Sequence, residues 1–136
     1  MAERESKAPT ARQRFSGETA AHEACEASRA FAELAGVDSK DAHRLCILVE
    51  ELVLNAFEHG GAAVAELALE LDGRNICIEL TDSGVPFDLE AASAEPVAKE
   101  RGGGAGLAIV RSWARVIAYD RVAEVNRLTL VMPLRC

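Results

Sequence analysis

Between Glu18 and Ala35 the apolar positions Ala20, Ala24, Ala27, Phe31 and Leu34 recur at three- and four-residue steps, and Gly36 is placed to stop the run. This spacing predicts an amphipathic helix whose buried face is anchored by Phe31 and Leu34. A second helix is predicted from Ser39, whose hydroxyl can cap free backbone N–H groups. It runs through Asp41, Leu45, Leu48, Val49, Leu52 and Ala56 to a stop at Gly60-Gly61. It is apolar almost all round, the pattern of a helix covered on most sides. The period then changes to alternation. Ala65, Leu67, Leu69 and Leu71 oppose Glu66, Glu70 and Asp72; after the turn Asp72-Gly73-Arg74-Asn75, Ile76, Ile78 and Leu80 oppose Cys77, Glu79 and Thr81. Two half-buried strands joined as an antiparallel hairpin are predicted, with Asp82 on the inward parity of the second.

From Ser83 to Gly104 the pattern dissolves into Gly, Pro, Ala, Ser and charge, a run too long for an ordinary connection and suited to a lid or binding loop. A third helix follows, with Leu107, Val110, Ala114 and Ile117 on one stripe and Ile109, Trp113 and Val116 beside it. Two last strands are predicted through Tyr119 to Val125 and Arg127 to Leu134, where Leu128, Leu130 and Met132 alternate with Thr129 and Val131. The order helix, helix, strand, strand, lid, helix, strand, strand predicts an α+β sandwich: a mostly antiparallel sheet with helices on one face. Met1 to Arg14 is polar, mixed in charge and without the apolar core of a signal peptide, so residues 1–14 are expected to be a flexible tail before a domain over 15–136.

Composition narrows the function classes. A chain of 136 residues suits one domain, and no apolar stretch approaches the ~20 residues of a membrane span. Fifteen Lys and Arg against 22 Asp and Glu give a net charge of −7, the wrong sign for gripping a phosphate backbone. Neither direct nucleic-acid binding nor a membrane role is expected, and a cytoplasmic location is. Cys25, Cys46, Cys77 and Cys136 are far apart, form no C-x-x-C pair and are expected to be reduced and structural. They make no zinc cluster with His22, His43 and His59, although His22 and Cys25 lie one helical turn apart.

Three segments carry chemistry. On the second helix Glu51, Asn55 and His59 stand at i, i+4 and i+8, a polar ridge among Leu, Val, Ile and Phe. Buried polar groups require partners, so the ridge is either completed by a metal ion, water or ligand, or is a solvated stripe at the helix end. Second, Asp82-Ser83-Gly84-Val85-Pro86-Phe87-Asp88 follows a strand of inward Ile and Leu. A carboxylate at the floor of an apolar slot accepts from an exocyclic amine such as adenine's, and repels the carbonyl that guanine carries instead. Third, Arg101-Gly102-Gly103-Gly104-Ala105-Gly106-Leu107 runs into a helix N-terminus, where close backbone approach, N–H groups and the helix dipole favour a phosphate, with Arg101 as a balancing cation. The run is not a P-loop, because no Gly-Lys-Ser/Thr follows, nor a Rossmann fingerprint.

In this order, Glu51-x-x-x-Asn55-x-x-x-His59, Asp82-x-Gly84-x-Pro86-Phe87 and the Gly102 to Gly106 run resemble the three nucleotide boxes of the Bergerat-fold (GHKL) ATPases, shared by gyrase, histidine kinases and heat-shock chaperones. Asn55-Ala56-Phe57-Glu58-His59-Gly60 and Asn126-Arg127-Leu128-Thr129-Leu130 are similar to segments of the small anti-sigma factor serine kinases and related switch kinases. The resemblance implies a Bergerat two-layer sandwich with an ATP lid, and ATP and Mg2+ as cofactors. It implies that Glu51 is the catalytic base, that Asn55 ligates the magnesium, and that Asp82 reads the adenine amino group while Gly84 lets the base approach. His59, Pro86, Phe87, Arg101, Gly102, Gly103, Gly104, Ala105, Gly106 and Leu107 would complete the nucleotide site, and Thr129 would support the adenine pocket. The implied partners are a STAS-domain anti-anti-sigma factor as substrate, a sigma factor, and a second copy of the chain. Two departures bear on the lid and the last turn: an extra glycine in the run, and Val125 in place of the glycine usual before the final Asn. The alternatives are a non-catalytic partner-switching module and a plain α+β domain whose glycine loop is a hinge.

Overall fold

The computed structural model describes residues 9–86 and 103–136, with backbone alone for 103–107. Five strands form one sheet in the order β1-β2-β3-β5-β4, every neighbouring pair antiparallel. They are β1 (Thr10–Ser16), β2 (Val64–Asp72), β3 (Asn75–Asp82), β4 (Arg115–Val122) and β5 (Val125–Pro133). Three helices lie on one face: α1 (Ala20–Ala35), α2 (Ser39–Leu54) and α3 (Gly103–Trp113). The α+β sandwich expected from the alternation is the fold.

The core is the meeting of two periodicities. Leu67 and Leu69 of β2, Ile76, Ile78 and Leu80 of β3, and Leu130 and Met132 of β5 point inward at period two. They meet Leu45, Leu48, Val49, Leu52 and Val53 of α2, all buried. The helix pair α1/α2 closes over Ala20, Ala24 and Ala32, small residues that let the two axes approach, and over the ring of Phe31. Leu34, expected as an anchor, is 86% exposed, because the buried stripe of α1 runs through Ser28, Phe31 and Ala32 and leaves Leu34 on the far side. Gly36 ends α1 with φ of 73°, and its N–H and that of Val37 bond back to Glu33 and Ala32. The N-cap of α2 is Asp38, whose carboxylate accepts from the N–H of Lys40; that bond, before any other influence, holds the Asp38 pKa below its ordinary value.

Several boundaries differ from those the pattern predicts. Part of the expected tail, Thr10 to Arg14, is strand, so the sheet begins at Thr10. As an edge strand β1 buries only Phe15 fully, too little apolar alternation to announce itself. The third helix ends at Trp113 and β4 begins at Arg115, so Val116 and Ile117, expected on the helix stripe, lie in the strand. Both are β-branched and suit the extended backbone, and an irregularity between Val116 and Ala118 leaves Ile117 half exposed. The β4–β5 turn falls on Ala123 and Glu124, both left-handed with φ of 54° and 66°; without Asn or Gly there, no turn signal marked it.

The cysteines also depart from expectation. Cys25 of α1 and Cys46 of α2 are joined as a disulfide, with their Cα atoms 4.7 Å apart and Arg29 Nη2 against both sulfurs. Their separation in sequence hid a contact that the antiparallel packing of α1 on α2 creates. Cys77 is free and half buried on the other sheet face, and burial, then Asp72 and Glu70, push its thiol pKa up. No helix among the described residues is long and apolar enough to cross a membrane.

Candidate functional site

The end of α2 does not continue as an ideal helix. Asn55–His59 form a π turn, in which Gly60 N–H bonds to Asn55 O at 2.9 Å, five residues back. Gly60 is required here: a Cβ would stand 2.7 Å from the Ala56 carbonyl oxygen. Gly60 in turn meets the end of β3, its carbonyl accepting from Val85 N–H at 2.9 Å. A Cβ on Gly84 would lie 2.6 Å from that same oxygen, so the backbones of two elements distant in sequence touch through two glycines. This contact brings Asn55 and Asp82 to one slot, lined also by Leu52, Ala56, Leu80, Val85, Tyr119, Asn126 and Leu128.

Of the polar ridge, Asn55 is 6% exposed and its Nδ2 has no hydrogen-bond partner among the described residues. A buried amide left so is costly unless something outside the chain completes it. Glu51, one turn earlier, is half buried, and that burial raises its carboxyl above the ordinary value, with Glu50 and Glu58 adding to the rise. A raised carboxylate beside an incomplete polar group suits proton transfer. His59 is exposed and outside the slot, because the ridge drawn at α-helical spacing is broken by the π turn.

At the other wall Asp82 Oδ1 accepts from Gly84 N–H at 2.8 Å, the local turn that its sequence predicted, and from Asn126 Nδ2 at 3.0 Å. Ser83 Oγ accepts from Ala63 and Val64 N–H, tying the segment after β3 to the start of β2. Pro86 is exposed beyond this turn. Phe87, Arg101 and Gly102 lie outside the described residues. Gly103, Gly104, Ala105, Gly106 and Leu107 form the first turns of α3 itself, so the glycine run begins the helix instead of leading up to it.

Thr129 is not in this slot. On β5 the residues Asn126, Leu128, Leu130 and Met132 face the helices, and Thr129 pairs with Glu79 on the opposite face, in a shallow concavity with Arg12, Ala68 and Cys77. The polar group that β5 places beside Asp82 is Asn126, 3% exposed. Strand parity carried that information, since Asn126 is in phase with Leu128 and Leu130 while Thr129 is out of phase. Tyr119 and Arg121 of β4, paired in register with Leu128 and Asn126, were not singled out by any motif.

The residues fit a nucleotide with a divalent ion in one respect and resist it in another. The incomplete amide of Asn55 suits an oxygen-seeking ion or a phosphate, and either end of an amide can be turned to it. No group of three or more His, Cys, Asp or Glu gathers among the described residues. The slot itself holds about 30 Å³. That admits a water or two and stands far below the roughly 300 Å³ of small ligand pockets.

Residues 16–132 match the family described as histidine kinase-like ATPase domain. The chain belongs to this family. Within it, the chain is 29% identical over 86 residues to the serine/threonine-protein kinase BtrW of Bordetella bronchiseptica, an alignment spanning 60% of this chain and 61% of that relative's length. In fold it is similar to a chain of the SiaB-SiaC complex from Pseudomonas aeruginosa, with a TM-score of 0.56, 15% identity, and coverage of 96% of this chain and 95% of that one. A histidine kinase-like ATPase domain is a nucleotide-binding domain.

Proposed function

We propose that the protein is an ATP- and magnesium-dependent serine/threonine kinase of the partner-switching type, which phosphorylates a STAS-domain anti-anti-sigma factor and holds a sigma factor in the alternate state. The observation that carries this reading is the unpartnered, buried amide of Asn55 one helical turn after a carboxylate whose pKa is raised by burial. Glu51 would take the proton from the attacking hydroxyl, a role that needs a base titrating closer to neutrality than an exposed Glu. Asn55 would hold the magnesium, whose part is to neutralise charge on the phosphates, and Asp82 would accept from the adenine amine. The glycines at the start of α3 offer backbone N–H groups and a helix dipole to the phosphates. Such a site works by positioning and electrostatics, which is what phosphoryl transfer demands. Partial likeness to a serine/threonine-protein kinase and a fold shared with a member of a two-protein complex support both the chemistry and a protein partner.

The test is transfer of labelled phosphate from ATP to a STAS-domain protein encoded beside this one, with and without magnesium. Transfer to a serine or threonine is expected, and normal ATP binding without transfer to any such partner would remove the kinase assignment. One observation favours a second reading, a non-catalytic switch module: the slot is narrow and its wall is filled by Asn126. Glu51→Ala separates the two, since only the kinase loses a function when the base is removed while nucleotide affinity is kept.

A further inference from the structure

Asn126 is held at both ends of its side-chain amide. Its Oδ1 accepts from Tyr119 Oη and Arg121 Nη1, both at 2.8 Å. Its Nδ2 faces three acceptors: Asp82 Oδ1 at 3.0 Å, Gly84 O at 3.1 Å and Val85 O at 3.0 Å. Arg121 Nη1 also donates to Gly84 O at 2.8 Å. Arg121 therefore reaches both the amide that touches Asp82 and the carbonyl of Gly84, two residues further on.

The direction of that amide is a chemical question, because its two ends have nearly the same shape. A guanidinium only donates, whereas a tyrosine hydroxyl both donates and accepts. Among the two neighbours of Oδ1, Arg121 is thus the one that forces an oxygen to its own side. The N–H end faces Asp82, Gly84 O and Val85 O, three acceptors that favour the same direction, and Arg121 adds the charge-assisted bond that holds it there. With the amide reversed, its oxygen would confront a carboxylate oxygen and two carbonyls, and Asp82 would be driven from its position.

We propose that Arg121 is a positioning residue for base selection: by fixing the Asn126 amide it holds Asp82 with Oδ1 engaged and Oδ2 left to accept from an exocyclic amine. This rests on the nucleotide reading given above. Arg121 sits on the edge strand β4 with an exposed side chain, so the fold does not depend on burying it. The inference makes adenine preference depend on a residue that never touches the base.

The experiment is calorimetric titration of the full chain with ATP and with GTP in the presence of magnesium, for wild type, Arg121→Ala and Arg121→Lys. Nitrogen-resolved NMR of the Asn126 side-chain amide is recorded on the same three proteins. Arg121→Ala is expected to lower the ATP-over-GTP preference by about tenfold, the loss expected from one charge-assisted hydrogen bond. Its Asn126 amide signal is expected to shift or broaden. Lysine is also a pure donor, so Arg121→Lys is expected to restore most of the preference and the wild-type amide signal. A merely structural role would lower affinity for both nucleotides alike and leave their ratio unchanged, and that result overturns the inference alone. Failure of the wild-type protein to bind either nucleotide overturns the nucleotide reading itself, and the inference with it.

Discussion

Helix α2 buries a polar side chain near each end, and the two are opposites. Asp41, in the first turn, is 0% exposed and fully engaged: its carboxylate pairs with Arg44 and accepts from the backbone N–H groups of Arg135 and Cys136 at 3.1 to 3.3 Å. Asn55, just past the last turn, is also buried but has an amide nitrogen without a partner among the described residues. The same helix, with the same apolar stripe between, thus carries a carboxylate met on every side by the chain at one end, though its partner Arg44 keeps a buried Nε unmatched, and an amide nitrogen unmet among the described residues at the other. The Asp41 carboxylate binds the chain to itself, whereas the Asn55 amide is the group that the function proposed above gives to a ligand.

The sharpest way to break this comparison is at Asp41. Asp41→Ala strands the Arg44 guanidinium and two backbone N–H groups, and is expected to cost about 3 kcal/mol or more in urea unfolding while nucleotide affinity of the folded fraction stays unchanged. Asn55→Leu should do the reverse. Removing an unmet polar group for an apolar one of similar size is expected to be neutral or to stabilise by about 1 kcal/mol in the same assay. Magnesium-dependent binding of ATP, followed by calorimetry, is expected to be lost. If Asn55→Leu unfolds the protein as Asp41→Ala does, the two ends are not different in kind.

Subtler changes sharpen the Asn55 end. Glu51→Gln is expected to keep ATP affinity within about twofold and to abolish transfer, because only the proton acceptor is removed. The smallest effect is a pH shift. With Glu51 as the base proposed above, transfer needs it ionised, so the rate should rise with pH through a midpoint above the ordinary glutamate value, in the direction that burial moves its pKa. Glu58→Gln takes away one negative neighbour and should move that acid limb downward, read from initial rates across pH. The sign for stability is the opposite of a salt-bridged carboxylate's: a raised pKa favours the folded state at low pH, and that contribution is lost as pH rises through the folded pKa.

Sequence pattern revealed the central elements and hid the marginal ones. The stripes of α2 and the β2–β3 alternation were legible because both are buried on a face long enough for a period to repeat, and Asp82 was found by its parity with Ile76, Ile78 and Leu80. β1 was missed because an edge strand needs little apolar surface, and the π turn because it inserts a residue without changing which residue types are favoured. Thr129, expected beside Asp82 from likeness to a family motif, lies on the opposite sheet face, and the strand's alternation places Asn126 there instead. The Cys25–Cys46 pair depends on how two helices meet, which no local period encodes. Tyr119 and Arg121 gather around Asn126 only after β4 has found its register.

The π turn at Asn55–His59 has a consequence for how the gene can change. Such a turn is an α-helix carrying one surplus residue, so the segment tolerates a change in length where an ordinary helical turn does not. Losing one residue from Phe57 to His59 would return the helix to regular winding and withdraw Gly60 from Gly84, parting the two walls of the slot while the sheet and the α1/α2 pair stay intact. A single codon deletion there is expected to separate folding from ligand capture, an indel phenotype that point substitution cannot reproduce.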